Sequence, residues 1–305
     1  MHFANTTASR REQLGSVGAA LLDVLEDTAD GPVFATRLRQ ELTKAGIERI
    51  KAHQLDDDDD RSMEELIAEL RMVQTINALS HRCAENRDHE SEWNNRVHTK
   101  VLELALRNDE AQVGFRSVVA AKITSTYRRT HAPGLTTGKI IDFAMFLEPA
   151  RLAQNTITSL TTSMSASINH VSYEGLRTRP IAVSIETKTE SRTVEEAKVQ
   201  LGVWLAGQVA RIEELIQQIA VLEAFELEEK EEVGIESQST GQAEWGSRVS
   251  HPPMGMRTQQ PTPTPTMHSI SPVVTALLSQ IVFPLLNVQS ENWSLFLSRA
   301  GLSTR

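Results

Sequence analysis

The 305-residue sequence contains a single cysteine, Cys83. An intramolecular disulfide is therefore excluded, and no zinc-finger spacing of cysteine and histidine is present. Aromatic residues make up only 5% of the chain, and no recognition-helix motif or basic cluster interleaved with aromatics marks a nucleic-acid surface. Long apolar runs are also missing. The strongest, Ile281 to Val288, contains Pro284 and falls far short of the ~20 residues that cross a bilayer. The stretch from Met1 to Gln13 has neither the apolar core nor the cleavage site of a secretory signal. These absences predict an intracellular protein, nuclear or cytoplasmic, with no membrane partner, and no internal repeat is apparent.

A hydrophobic content of 40% is ample for a buried core. The net charge of −9 is concentrated in two runs, Asp56 to Asp60 and Glu223 to Glu232. Outside them the chain is close to neutral, so charge neither supports nor excludes a polyanionic partner.

The pattern along the chain predicts a mixed α/β protein. Residues 1–90 form a helical N-terminal region. Within it, Pro32 to Gln54 is composed of helix formers, with Phe34, Leu38, Leu42 and Ile47 at apolar positions, and the acidic linker 56–60 follows. Ser62-Met-Glu-Glu65 is a capping box, opening a helix over about 62–83. A second helix runs from near Glu92 to Asn108 on the stripe Trp93, Val97, Val101 and Leu104. The periodicity then changes. Val113–Ile123 and Lys139–Leu147 are rich in β-branched and apolar residues and flank the turn-forming Ala132-Pro-Gly134, which predicts two strands. Residues 150–172 look like a connecting loop with room for a short helix. Pro180 to Lys188 is a third strand, entered through a proline tolerated at a strand start. A second capping box, Thr193-Val-Glu-Glu196, opens a long amphipathic helix. Segment 226–268, rich in Glu, Gln, Ser, Pro and Thr, is expected to be a disordered insertion. Strands at 281–288 and 293–297 follow, and 298–305 is a tail.

Alternate residues of a strand share a face, so Glu186 and Lys188 project together on a segment that otherwise looks buried. Buried charges are costly unless paired or bound to a metal. Asp142 likewise stands among Ile140, Ala144 and Phe146, where an apolar residue is expected. If the two strands are neighbours, the two carboxylates can converge. Together with a backbone carbonyl they would make a hard, oxygen-rich site suited to Mg²⁺ or Mn²⁺. Such an ion acidifies water and offsets phosphate charge, and the Lys188 ammonium could stabilise the transition state. Glu-x-Lys alone has little specificity, since it recurs at Glu196–Lys198 and Glu228–Lys230. An edge-strand ion pair at Glu186–Lys188 and a hydrogen-bonded strand-end carboxylate at Asp142 are the alternatives.

Several segments in order add specificity. Glu92-Trp-Asn-Asn-Arg-Val-His98, Lys139-Ile-Ile-Asp-Phe143, Ile168-Asn-His170, Arg179 to Lys188, Gln200-Leu-Gly-Val-Trp204, Phe283-Pro-Leu-Leu286 and Asn292-Trp293 jointly resemble the PD-(D/E)XK nuclease-like family found widely in fungi. The resemblance covers about 91–297. It implies a restriction-endonuclease-like core, a mixed central sheet flanked by helices, in a Mg- or Mn-dependent nuclease acting on nucleic acid, DNA before RNA. Asp142 and Glu186 would be metal ligands, with the Thr187 carbonyl, and Lys188 the catalytic lysine. Glu92, as a further metal ligand, or Glu103 would be the acid of the first helix, and Gln200 a catalytic-site glutamine that some relatives place near the site. His98 and His170 are expected to be structural. Ile141 stands where the family name has proline. Relatives continue past the strand holding Trp293, which implies a copy shortened at its end. A catalytically inactive member that binds nucleic acid or protein is the alternative function.

Overall fold

The computed structural model describes residues 8–107, 112–128, 141–163, 167–189, 193–239, 276–278 and 280–299. The turn at 132–134, residues 139 and 140 of the expected acidic strand, segment 240–268 and residues 300–305 lie outside the described residues.

Five strands form the central sheet: β3 (Val113–Ser117), β4 (Phe143–Leu147), β5 (Ile181–Lys188), β6 (Val282–Gln289) and β7 (Asn292–Arg299). They lie side by side in chain order. β3/β4, β4/β5 and β6/β7 are antiparallel and β5/β6 is parallel. The sheet is thus mixed, as the resemblance implies. A parallel neighbour needs a crossover, and α7 (Val194–Ser239) provides it between β5 and β6. Pro180, just before β5, and Pro284, in β6, sit where a missing N–H does no harm. Pro180 precedes β5 and its carbonyl accepts from Leu147 N at 3.0 Å. Pro284 lies one residue before the β5–β6 ladder, which starts at Ser184–Leu285.

Each face of the sheet is covered by helix. Leu201 and Trp204 of α7 pack with Ala144, Phe146 and Leu285 on one side. On the other, Leu102 of α5 (Thr99–Ala105) meets Phe143, Ile185 and Val288. Behind α5, Cys83 of α3 (Met63–Asn86) packs on Trp93 and Val97. The expected capping box opens α3, with Ser62 Oγ accepting from Glu65 N. Further toward the N-terminus lie α1 (Ala8–Asp30), the two-residue parallel pair β1 (Phe34–Ala35) and β2 (Leu55–Asp56), and α2 (Arg39–Lys44). Ala35, Leu38, Leu42, Leu66 and Leu70 form a separate small core there.

Besides β7, which takes in Ser298 and Arg299 of the expected tail, four segments depart from expectation. The helix-forming stretch 32–54 yields only a short α2, because Gly46 adopts φ +81° and closes it. The first strand of the sheet ends at Ser117 rather than Ile123. Val118 N instead donates to the Asp142 carbonyl at 2.8 Å, and the chain turns so that Ile123 bridges Val171. Within 150–172, α6 (Arg151–Ser163) spans 13 residues. Its Ser/Thr-rich composition hid it, but Thr156, Thr158 and Thr161 return their hydroxyls to carbonyls four residues back. Finally, α7 extends to Ser239, so residues 226–239 of the expected disordered insertion are helical. Leu, Glu, Gln and Lys have good helix propensity, and elongating an existing helix avoids the cost of nucleation.

Candidate active site

The site forms where β4 begins and β5 ends. Asp142 stands one residue before β4, in a bend rather than on the strand. Its backbone is held from both sides, with its N–H donating to Ile185 O at 3.0 Å and its carbonyl accepting from Val118 N at 2.8 Å. Freed from strand alternation, the side chain turns to meet β5. Oδ2 accepts from Thr187 N at 2.9 Å and from Thr187 Oγ1 at 2.8 Å. Oδ1 accepts from Asn94 Nδ2 at 3.1 Å. Asp142 is fully buried, so these charge-assisted bonds replace water around the carboxylate.

Glu186 is also fully buried, and Lys188 is nearly so. The Lys188 ammonium donates to Glu186 Oε1 and, at 2.9 Å, to the Thr187 carbonyl. A third oxygen, Glu90 Oε2, lies 3.5 Å away. One cation is therefore seated among three oxygens from two elements. Thr187 ties the centre together, since its N–H and hydroxyl serve Asp142 and its carbonyl serves Lys188.

Glu90 was not distinguished from its neighbours in the sequence. The first helix begins two residues earlier than expected, as α4 (Glu90–Trp93), with His89 Nδ1 accepting from Ser91 N at its start. That start turns Glu90 toward Lys188. Glu92 instead accepts from Arg96 Nε at 2.7 Å on the solvent side, and Glu103 is exposed. Gln200 Oε1 is buried on α7. Among the described residues it has no hydrogen-bond partner.

Between α4 and α5, Asn94–His98 winds as a π-helical turn, a feature that recurs at functional sites. It places Asn94 and His98 above the sheet end, both buried. Asn94 Oδ1 lies 2.8 Å from His98 Nδ1, and His98 Nε2 lies 2.8 Å from the Ser290 carbonyl. Ser290 N in turn donates to Lys188 O at 3.0 Å. Ser290 and Glu291 form the tight β6–β7 turn, in which Ser290 has φ 53°.

With Nδ2 of Asn94 facing the Asp142 carboxylate, both nitrogens of His98 face acceptors. Only the doubly protonated ring satisfies both. Burial pushes the His98 pKa down, while the Ser290 carbonyl and the Asp142 and Glu90 carboxylates pull it up, leaving a net downward shift. A ring nitrogen without its proton would meet an acceptor at 2.8 Å, which is repulsive, so the two contacts favour the charged ring while burial opposes it. His170 is the contrasting case: burial alone pushes its pKa down to about 3, and neither ring nitrogen has a hydrogen-bond partner among the described residues.

Next to the end of β5, a cavity of about 470 Å³ is lined by Cys83, Ala84, Arg87, Asp88, His89, Trp93, Thr189 and Ser290. Among the described residues, no group of three or more His, Cys, Asp and Glu side chains is gathered as a metal cage. The donor chemistry still fits Mg²⁺ or Mn²⁺. Such ions are commonly held by one or two carboxylates, with waters and substrate phosphate completing the shell, and hard oxygens already surround one positive charge at Lys188.

A mixed sheet between helices, with an acid before one strand and Glu-x-Lys at the end of its neighbour, defines a nuclease-like α/β protein. Residues 41–305 match the family model described as the PD-(D/E)XK nuclease superfamily, and the chain belongs to that superfamily. The match begins well before residue 91 and takes in α3. No curated protein and no solved structure gives a significant match.

Proposed function

We propose that the protein is a metal-dependent nuclease that hydrolyses phosphodiester bonds, in DNA before RNA, inside the cell in the nucleus or cytoplasm. The observation that carries this reading is the Lys188 ammonium seated among Glu186 Oε1, the Thr187 carbonyl and Glu90 Oε2, with Asp142 joined to the same centre through Thr187. Asp142 and Glu186, with the Thr187 carbonyl, are the residues that would hold Mg²⁺ or Mn²⁺. When bound, the ion supplies positive charge against the attacked phosphate and acidifies water. Lys188 then turns its ammonium from Glu186 toward the scissile phosphate, where it orients the attacking water and offsets the charge that develops on oxygen. Water adds its oxygen to phosphorus, the P–O ester bond breaks, and the proton lost by water balances the one gained by the leaving oxygen. The neighbouring cavity, with Arg87, Asp88 and His89 in its wall, would give the substrate strand a place beside the centre. The membership supports a nucleic-acid substrate, and DNA is placed first because it is the family's usual substrate. Among the described residues, no helix is long and apolar enough to cross a membrane.

The test is incubation of the purified protein with single- and double-stranded DNA and RNA, with and without Mg²⁺ or Mn²⁺. Metal-dependent cleavage should fall by about 10²–10³-fold in Lys188→Ala and by at least as much in Glu186→Ala, with folding retained by circular dichroism. Cleavage that ignores both substitutions, or needs no metal, sinks the reading. Folded wild-type protein that takes up no metal and cleaves nothing would favour an inactive member of the superfamily.

A further inference from the structure

Of Asp142, Glu186 and Thr187, the residues proposed to hold the metal, Asp142 alone does not lie on a strand of the sheet, so the β-ladder alone does not orient its side chain. Its orientation comes from hydrogen bonds, and these belong to a closed circuit. From Asp142 Oδ1 the path runs to Asn94 Nδ2 at 3.1 Å, from Asn94 Oδ1 to His98 Nδ1 at 2.8 Å, and from His98 Nε2 to Ser290 O at 2.8 Å. It continues from Ser290 N to Lys188 O at 3.0 Å, and Thr187, next in the chain, closes it on Asp142 Oδ2. All six residues are buried. The ring of His98 is itself clamped, stacked on Trp93 and meeting Trp293 edge-on.

We infer that Asn94 and His98 are positioning residues: the π-helical turn holds them as a brace between Asp142 and the Lys188 end of β5, and that brace sets the metal affinity of the site. The inference rests on the metal-dependent reading given above. It names residues that touch neither metal nor substrate. Their loss acts through a loosened Asp142 carboxylate, since partners that orient a ligand contribute to affinity much as the ligand does.

Mn²⁺ titration of the full chain, followed by electron paramagnetic resonance well below each variant's Tm, tests it. Asn94→Ala removes the amide. His98→Phe keeps a ring between Trp93 and Trp293 but removes both nitrogens. Each variant should weaken Mn²⁺ binding by about 10–100-fold. Val97→Ala, buried on the same turn but outside the circuit, is the control: its Tm should fall while its Mn²⁺ affinity stays within about twofold of wild type. Wild-type affinity in either folded circuit variant overturns the inference. So does an equal loss in Val97→Ala, because affinity would then merely follow stability. Should neither circuit variant fold, the Asn94 side-chain amide signal of the wild-type protein decides by NMR. It must shift when Mg²⁺ is added, and an unmoved signal overturns the assignment. No Mn²⁺ uptake by the wild type is a different failure, that of the metal-dependent reading itself.

Discussion

Two buried histidines lie on opposite sides of the sheet, and their surroundings have little in common. His98 makes polar contacts at both nitrogens and is linked through Asn94 to Asp142. His170 stands edge-on to Trp204 with ring centroids 4.4 Å apart, and burial dominates its chemistry. Both residues are fully buried. Equal burial therefore says nothing about role; the partners at the ring nitrogens decide it. The α3–α5 side of the sheet is polar where it meets the strand ends and carries the candidate chemistry. The α7 side, where Trp204 and Leu201 meet Phe146 and Leu285, is the larger core and supplies stability.

The largest expected effect that could break this division is on the α7 side. Trp204→Ala should cost about 3–5 kcal/mol of folding stability, because its fully buried indole would leave a cavity. Denaturant titration would show it, while Mn²⁺ affinity of the remaining folded protein should stay unchanged. A Trp204→Ala protein that lost metal affinity while folded would mean that the two sides are coupled.

Next comes acid stability. His170 has a folded pKa of about 3, below the unfolded value of about 6.5. Between these values the unfolded chain binds a proton that the folded one does not. Stability is therefore undiminished by this group above pH ~6.5 and is lost as pH falls toward 3, by up to about 4 kcal/mol at about pH 3.5. His170→Phe should flatten that part of the stability–pH curve in urea melts. An unchanged curve would show that the ring takes up a proton in the folded state.

The smallest effect separates two acids on one helical turn. Glu90→Gln should lower cleavage by about tenfold, because Glu90 faces Lys188. Glu92→Gln, paired with Arg96 at the surface, should leave cleavage unchanged and shift stability by no more than about 0.5 kcal/mol. The reverse order, measured with the same substrate, would move the first-helix acid back to Glu92.

Much of the fold is legible in residue order. Alternation from Ile181 to Lys188, the capping box at Ser62 and the long stripe after Thr193 are local signals, and each matches an element of the structure. The helix at Arg151–Ser163 was legible only as room for a short one, because threonines that disfavour helices in general are satisfied within this one. Around the site, Glu186 and Lys188 could be paired by strand period alone. Asn94 gave no signal, since a polar residue on a helix beside an apolar stripe looks like ordinary surface.

Residue order over short spans is enough to indicate the family, the alternation of helix and strand and the unusual placing of charge in apolar segments. Packing is what brings Glu90 rather than Glu92 to Lys188, sets Asp142 in a bend, and bridges it through Asn94 and His98 to Ser290. A two-residue shift in a helix start, or a contact between residues nearly two hundred apart, depends on how whole elements pack. No local pattern carries that information.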